Sequence, residues 1–171
     1  YGVRALELLQ PLPVETHLVM SKSAELTVYH ELDRTVDSIR ALADEWHPVR
    51  NVGASVASGS FRTLGMLLAP CSIRTLGEIT SGVTSSLLTR SADVVLKERR
   101  RLVLMVRETP LHLGHLRNMV AVTEMGAVVA PPVPAFYAKP ESLDEVVTQS
   151  VARALDLFDI TLPETHRWTE S

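Results

Sequence analysis

Arg107 and Glu108 follow directly on Leu102-Val-Leu-Met-Val106, so a cation and a carboxylate stand where five consecutive apolar residues stop. A run of that kind reads as a strand buried on both faces, and in open α/β sheets ligands bind beyond the carboxyl ends of the strands. The placement suits Arg107 for anion binding and Glu108 for proton transfer. An arginine closing a buried strand is costly to desolvate unless it meets an anion, and a salt bridge to Glu108 or Glu124 is the alternative. Polar groups stand at two further strand exits, Ser21 after Val14–Met20 and Ser72 after Leu64–Ala69. Ser72-Ile73-Arg74-Thr75 opens a helix, where hydroxyls and free backbone N–H groups can hold a phosphate. An ordinary N-cap accounts for the same residues.

Other reactive residues read less sharply. Lys97, Arg99, Arg100 and Arg101 form a basic run that either binds phosphate or complements the carboxyl end of a helix. His112 and His115 are three residues apart, with no carboxylate at a metal-ligand spacing beside them. Cys71 has no base near it in sequence and reads as inert packing. Gly53-Ala-Ser-Val-Ala-Ser-Gly-Ser60 has the small residues of a phosphate loop, but no clear strand precedes it, so a surface loop or subunit contact is expected. Pro131-Pro-Val-Pro-Ala-Phe-Tyr137 is stiff enough to hold Tyr137 over a site or to plug a subunit interface.

The elements that position these groups follow from periodicity. Strands are expected over Val14–Met20, Leu64–Ala69, Leu102–Val106 and Gly126–Ala130, the last stopped by Pro131 and Pro132. Helices are expected near the start, around Ser23–Tyr29 and Ile73–Ile79, and over Leu87–Glu98 and Leu113–Met125. Ser142 and Glu145 read as a capping box for a last helix whose stripe is Val147, Val151, Ala154 and Phe158, with Arg153 off the stripe. Strands alternating with helices imply right-handed βαβ units and a doubly wound parallel sheet.

Length and composition limit the alternatives. The 171 residues are 46% hydrophobic and only 5% aromatic, which suits one domain, 1–171, with an aliphatic core. A net charge of -3 supplies no basic field for nucleic acid. No apolar run approaches the roughly 20 residues that span a bilayer. One cysteine rules out an intrachain disulfide and fits the cytoplasm.

Five segments together resemble the UbiX/Pad family of flavin prenyltransferases, within the wider group of homo-oligomeric flavin-containing cysteine decarboxylases. They are Glu15–Lys22, Pro70–Leu76, Leu88–Arg100, Arg107–His115 and Pro131–Tyr137, and the resemblance extends over essentially the whole chain. It implies a Rossmann-like (flavodoxin-like) fold in three α/β/α layers. It also implies a metal-independent transfer of a dimethylallyl group from dimethylallyl monophosphate to reduced FMN, giving prenylated FMN for a UbiD-type decarboxylase. By position, Ser21, Ser72, Ile73, Arg74, Thr75 and Arg107 would contact FMN. Arg90, Lys97, Tyr137 and Arg153 would surround the donor phosphate, and Glu108 and Glu31 would be the acid/base carboxylates.

The family begins with a strand and a Gly-Ala-Ser-Gly turn, whereas this sequence starts at Tyr1 in what reads as a helix. The expectation is therefore a sheet lacking that first strand and turn. The tail, about 159–171, is expected to dock on a neighbouring subunit, and the assembly is a homo-oligomer, a dodecamer by resemblance. An older reading of such chains as aromatic-acid decarboxylases and a non-catalytic FMN-binding subunit are the alternatives.

Overall fold

Residues 1–162 are described by a computed structural model. The chain opens with α1 (Gly2–Leu9), then β1 (His17–Met20), α2 (Lys22–Glu31), α3 (Val36–Arg40) and β2 (Glu45–Pro48). A short 3₁₀ turn at Ser55–Ala57 leads to β3 (Gly65–Cys71), α4 (Ile73–Thr80), α5 (Leu87–Lys97), β4 (Arg101–Val106) and α6 (Leu113–Glu124). The described part ends with β5 (Val128–Val129), a 3₁₀ turn at Phe136–Ala138 and α7 (Leu143–Asp156). No helix among the described residues is long and apolar enough to cross a membrane.

β4 is the centre of the domain. It pairs in parallel with β3 on one side and β5 on the other, and every residue from Leu102 to Val106 is buried. Alternation along the strand sends Leu102, Leu104 and Val106 to one face, against Leu76 and Ile79 of α4, Ala92 and Val95 of α5 and Val122 of α6. Val103 and Met105 point the other way, against Ala5 of α1 and Val151, Ala152, Ala154 and Leu155 of α7. That is the expected three-layer α/β/α arrangement. Burying each large aliphatic side chain contributes about 1.5–3 kcal/mol.

Polar caps mark where helices begin. Ser21, Thr35, Ser72, Ser86 and Ser142 each accept a backbone N–H from three residues on, at about 1 kcal/mol apiece. Ser142 accepts from the Glu145 amide, but the Glu145 carboxylate takes the Glu141 amide at 2.7 Å, so the expected capping box closes one residue further out.

Three expectations about strands are corrected. The strands form two sheets: β1 pairs with β2, and β3, β4 and β5 pair separately. α1 bridges them, with Ala5 in the β4 core and Leu6 packed with Met20, Val28 and Ile39. The helix lies so close to β3 that a Cβ at Gly2 would sit 2.5 Å from the Ala69 carbonyl oxygen. β2 was not expected, because Glu45-Trp-His-Pro48 has no apolar run; it therefore does precede the Gly53–Ser60 loop. β3 continues through Pro70 to Cys71, which an edge strand tolerates because the missing N–H falls where the register to β4 shifts, between Leu68 and Cys71.

Candidate functional site

All strands are parallel within their sheets, so the exits of β1, β3 and β4 carry their polar residues to carboxyl ends. Ser21 caps α2, its Oγ accepting from the Ala24 amide at 3.1 Å. Ser72 caps α4, its Oγ accepting from the Thr75 amide at 3.2 Å and lying 3.0 Å from Thr75 Oγ1. That cap leaves the Ile73 and Arg74 amides as the leading donors of an eight-residue helix. The Ile73 side chain packs on the core, whereas Arg74 projects outward, paired with Glu78 at 2.9 Å.

The β4 exit lies beside this cap, because the Arg107 amide donates to the Cys71 carbonyl at 3.3 Å. Arg107 is exposed and has no ion-pair partner among the described residues. The alternative of a salt bridge to Glu108 or Glu124 is thus not formed, and the side chain avoids the desolvation cost because β4 ends one residue before it. Glu108 is also exposed and accepts the Thr109 amide at 3.1 Å. Glu31 is the last residue of α2 and is exposed. The edge therefore presents helix N–H donors, two hydroxyls, cations and carboxylates, a set able to hold an anionic, planar polar ligand and to move a proton.

The four residues expected around the donor phosphate divide into two pairs. Tyr137 and Arg153 line one cavity with Pro131, Pro132 and Ser150, on the α7 side of the sheet. Arg153 pairs with Asp156 at 3.2 Å. Arg90 and Lys97 belong to α5, on the opposite face, and pair with Asp93 at 2.8 Å and Glu98 at 2.5 Å. α5 starts beside the end of β2, where the Leu87 amide donates to the Val49 carbonyl at 2.8 Å. Its other end, at Lys97, leads into the first residue of β4. One chain thus places Lys97 near the amino ends of the strands and the Arg153 pair across the sheet.

Several other residues have structural roles. Arg100 donates to the Phe61 and Gly59 carbonyls, which makes part of the basic run a clamp on the 59–61 loop. His112 caps α6, its Nδ1 accepting from the Gly114 amide at 3.0 Å, and its ring lies against His115. Burial pushes the Cys71 thiol up to about 12, which fits inert packing. Of the tail expected to dock on a neighbour, about 159–171, Ile160 and Leu162 pack into this chain's own core beside Val103 and Met105, and residues 163–171 lie outside the described residues.

Comparisons with known proteins identify the family. The family model described as Flavoprotein matches residues 2–155. The flavin prenyltransferase UbiX of Neisseria meningitidis is 60% identical over 168 residues, covering 98% of this chain and 89% of that protein. The UbiX of Thauera aromatica is 54% identical over 169 residues, covering 99% and 87%. Among solved structures, AnUbiX in complex with FMN and dimethylallyl pyrophosphate superposes with a TM-score of 0.97 at 53% identity, covering 99% of this chain and 90% of that one. A dodecameric FMN-dependent UbiX-like decarboxylase from Escherichia coli gives 0.96 at 48% identity, covering 99% and 92%. The chain belongs to the flavoprotein family, among its UbiX flavin prenyltransferases.

Proposed function

We propose that this protein transfers a dimethylallyl group from dimethylallyl monophosphate to reduced FMN. The observation that carries the reading is the near-complete superposition on a relative solved with FMN and dimethylallyl pyrophosphate, and this chain's own polar residues at the exits of β3 and β4 support it. The α4 terminus fits a flavin: its free N–H donors, the Ser72 and Thr75 hydroxyls and the neighbouring Arg107 match the acceptors of a flat anionic ligand. When bound, reduced FMN supplies the electron-rich ring that receives the allyl group.

The chain's own part is positioning and charge. Ser21, Ser72, Ile73, Arg74, Thr75 and Arg107 hold the flavin. Glu108 and Glu31, both exposed, are the carboxylates that would take up and return a proton during the transfer. Arg90, Lys97, Tyr137 and Arg153 neutralise the departing phosphate in place of a metal ion. Because the sheet separates the first two from the last two, the donor pocket takes Arg90 and Lys97 from one copy and Tyr137 and Arg153 from another. The assembly is then a homo-oligomer, a dodecamer like the Escherichia coli relative, and exposed Leu113, Leu116 and Val120 on one face of α6 give it apolar surface to bury.

The product is passed to a UbiD-type decarboxylase in the cytoplasm. A three-way incubation tests this: the protein with an aromatic acid, an apo UbiD-type partner with the same acid, and the partner supplied with flavin processed by the protein. Carbon dioxide in the third mixture alone supports the proposal. Its release by the first mixture would favour direct decarboxylation, the reading carried in the name of the Escherichia coli relative.

A further inference from the structure

We propose that His17, Glu45 and His47 form a binding site for a divalent transition-metal ion of the zinc class, at a place separate from the flavin edge. His17 and Glu45 are the first residues of β1 and β2 and stand opposite each other in the ladder; His47 pairs with Val19. Side chains opposite one another, and those two residues along, share a face of a sheet, so all three project to the same side. His17 Nδ1 lies 2.9 Å from His47 Nε2 and 3.3 Å from Glu45 Oε2. One ligand atom from each residue falls within 4.8 Å of the others.

Two imidazole nitrogens and a carboxylate make a zinc-type donor set with a fourth position open to water. The two rings are near-parallel and face each other through a nitrogen–nitrogen hydrogen bond, so an ion replaces the shared proton: the nitrogens part by about 0.4 Å to the roughly 3.3 Å of tetrahedral coordination, and both imidazoles turn so that their lone pairs converge on it. The surroundings already hold the donors. Glu15 Oε1 lies 2.8 Å from His17 Nε2, the carboxylate–imidazole contact that orients a metal-binding ring. Phe61 packs edge-on against the His17 ring, in the loop clamped by Arg100. Immediately before both strands, the Thr16 amide and hydroxyl each donate to Asp44 at 2.7 Å, fixing the register that brings the donors together. His47 is buried and Glu45 half exposed, so an ion reaches the site from the Glu45 side.

Along β1 the site stands back from the strand exit that carries Ser21. Ser21 is four residues beyond His17, about 13 Å along an extended chain. A two-stranded ladder is weak alone, and an ion joining β1 to β2 staples the smaller sheet.

The test is calorimetric titration of Zn²⁺ into tag-free, chelator-treated full-length protein, alongside Glu45→Gln, His17→Gln and a control His115→Gln. Circular dichroism verifies that each variant is folded. The proposal predicts one saturable Zn²⁺ per chain, a melting temperature raised by Zn²⁺, and affinity weakened at least tenfold in Glu45→Gln and His17→Gln but unchanged in the control. No saturable binding to the unsubstituted protein, or binding that survives both substitutions, would overturn it. Binding abolished by His115→Gln alone would assign the ion to the His112–His115 pair instead and equally overturn it.

Discussion

Ser72 has two tasks in this account, capping α4 and contacting the flavin, and two substitutions separate them. Ser72→Ala removes an acceptor 3.2 Å from the Thr75 amide and the 3.0 Å contact with Thr75 Oγ1. Loss of a serine cap costs about 1 kcal/mol, within a range of roughly 0.5–2, and the effect falls on a helix whose Leu76 and Ile79 are core residues. If the same hydroxyl also contacts FMN, affinity falls by a similar energy, about fivefold. Ser72→Asp is the discriminating variant. Aspartate caps as well as serine, so urea denaturation should give a stability within a few tenths of a kcal/mol of the parent. Its carboxylate, however, occupies the helix terminus that is to receive an anionic ligand, and FMN affinity measured by fluorescence quenching should fall at least tenfold. An Asp variant that keeps both stability and FMN affinity would refute the reasoning and leave Ser72 as a cap only.

Leu104→Ala, at a fully buried position in the middle of β4, should cost about 2–5 kcal/mol in denaturant unfolding; a loss below 1 would mean that β4 is not the centre of the core. Asp44 is held below its ordinary 3.8 by the Thr16 hydroxyl and then the Thr16 amide, so its contribution is fully present above that value and is lost as pH falls through the lower, folded one. Asp44→Asn should remove that part of the acid dependence of stability, and identical pH profiles would contradict the assignment. Native Cys71 should resist thiol alkylation at pH 8 and react only on unfolding, since burial holds its thiol near 12; rapid labelling of the folded protein would contradict this. Arg90→Ala and Arg153→Ala should each be inactive alone, yet recover about a quarter of wild-type turnover when unfolded and reassembled together, because random mixing leaves that share of pockets intact. No recovery would mean that one chain supplies both.

What the sequence disclosed and what it hid divide along physical lines. β3 and β4 were legible because strands buried on both faces must be continuously apolar, and Ser72 and Ser142 were legible as caps because few side chains can take a free helical amide. β2 was not, since Glu45-Trp-His-Pro48 is held by the Thr16–Asp44 bonds and by pairing with β1, neither of which leaves a periodic signal. The His17–His47 contact was hidden with it, because the two residues meet only across that ladder. The separation of Arg90 and Lys97 from Tyr137 and Arg153 was equally invisible: sequence shows which residues carry charge, but which face of a sheet each helix covers is settled only by the alternation along β4.

The most direct measurement is mass spectrometry of the flavin extracted after anaerobic incubation of the protein with reduced FMN and dimethylallyl monophosphate. The account predicts a mass gain of one dimethylallyl group, present with the unsubstituted protein and strongly reduced with Glu108→Gln. Flavin that binds and returns with its mass unchanged would contradict it.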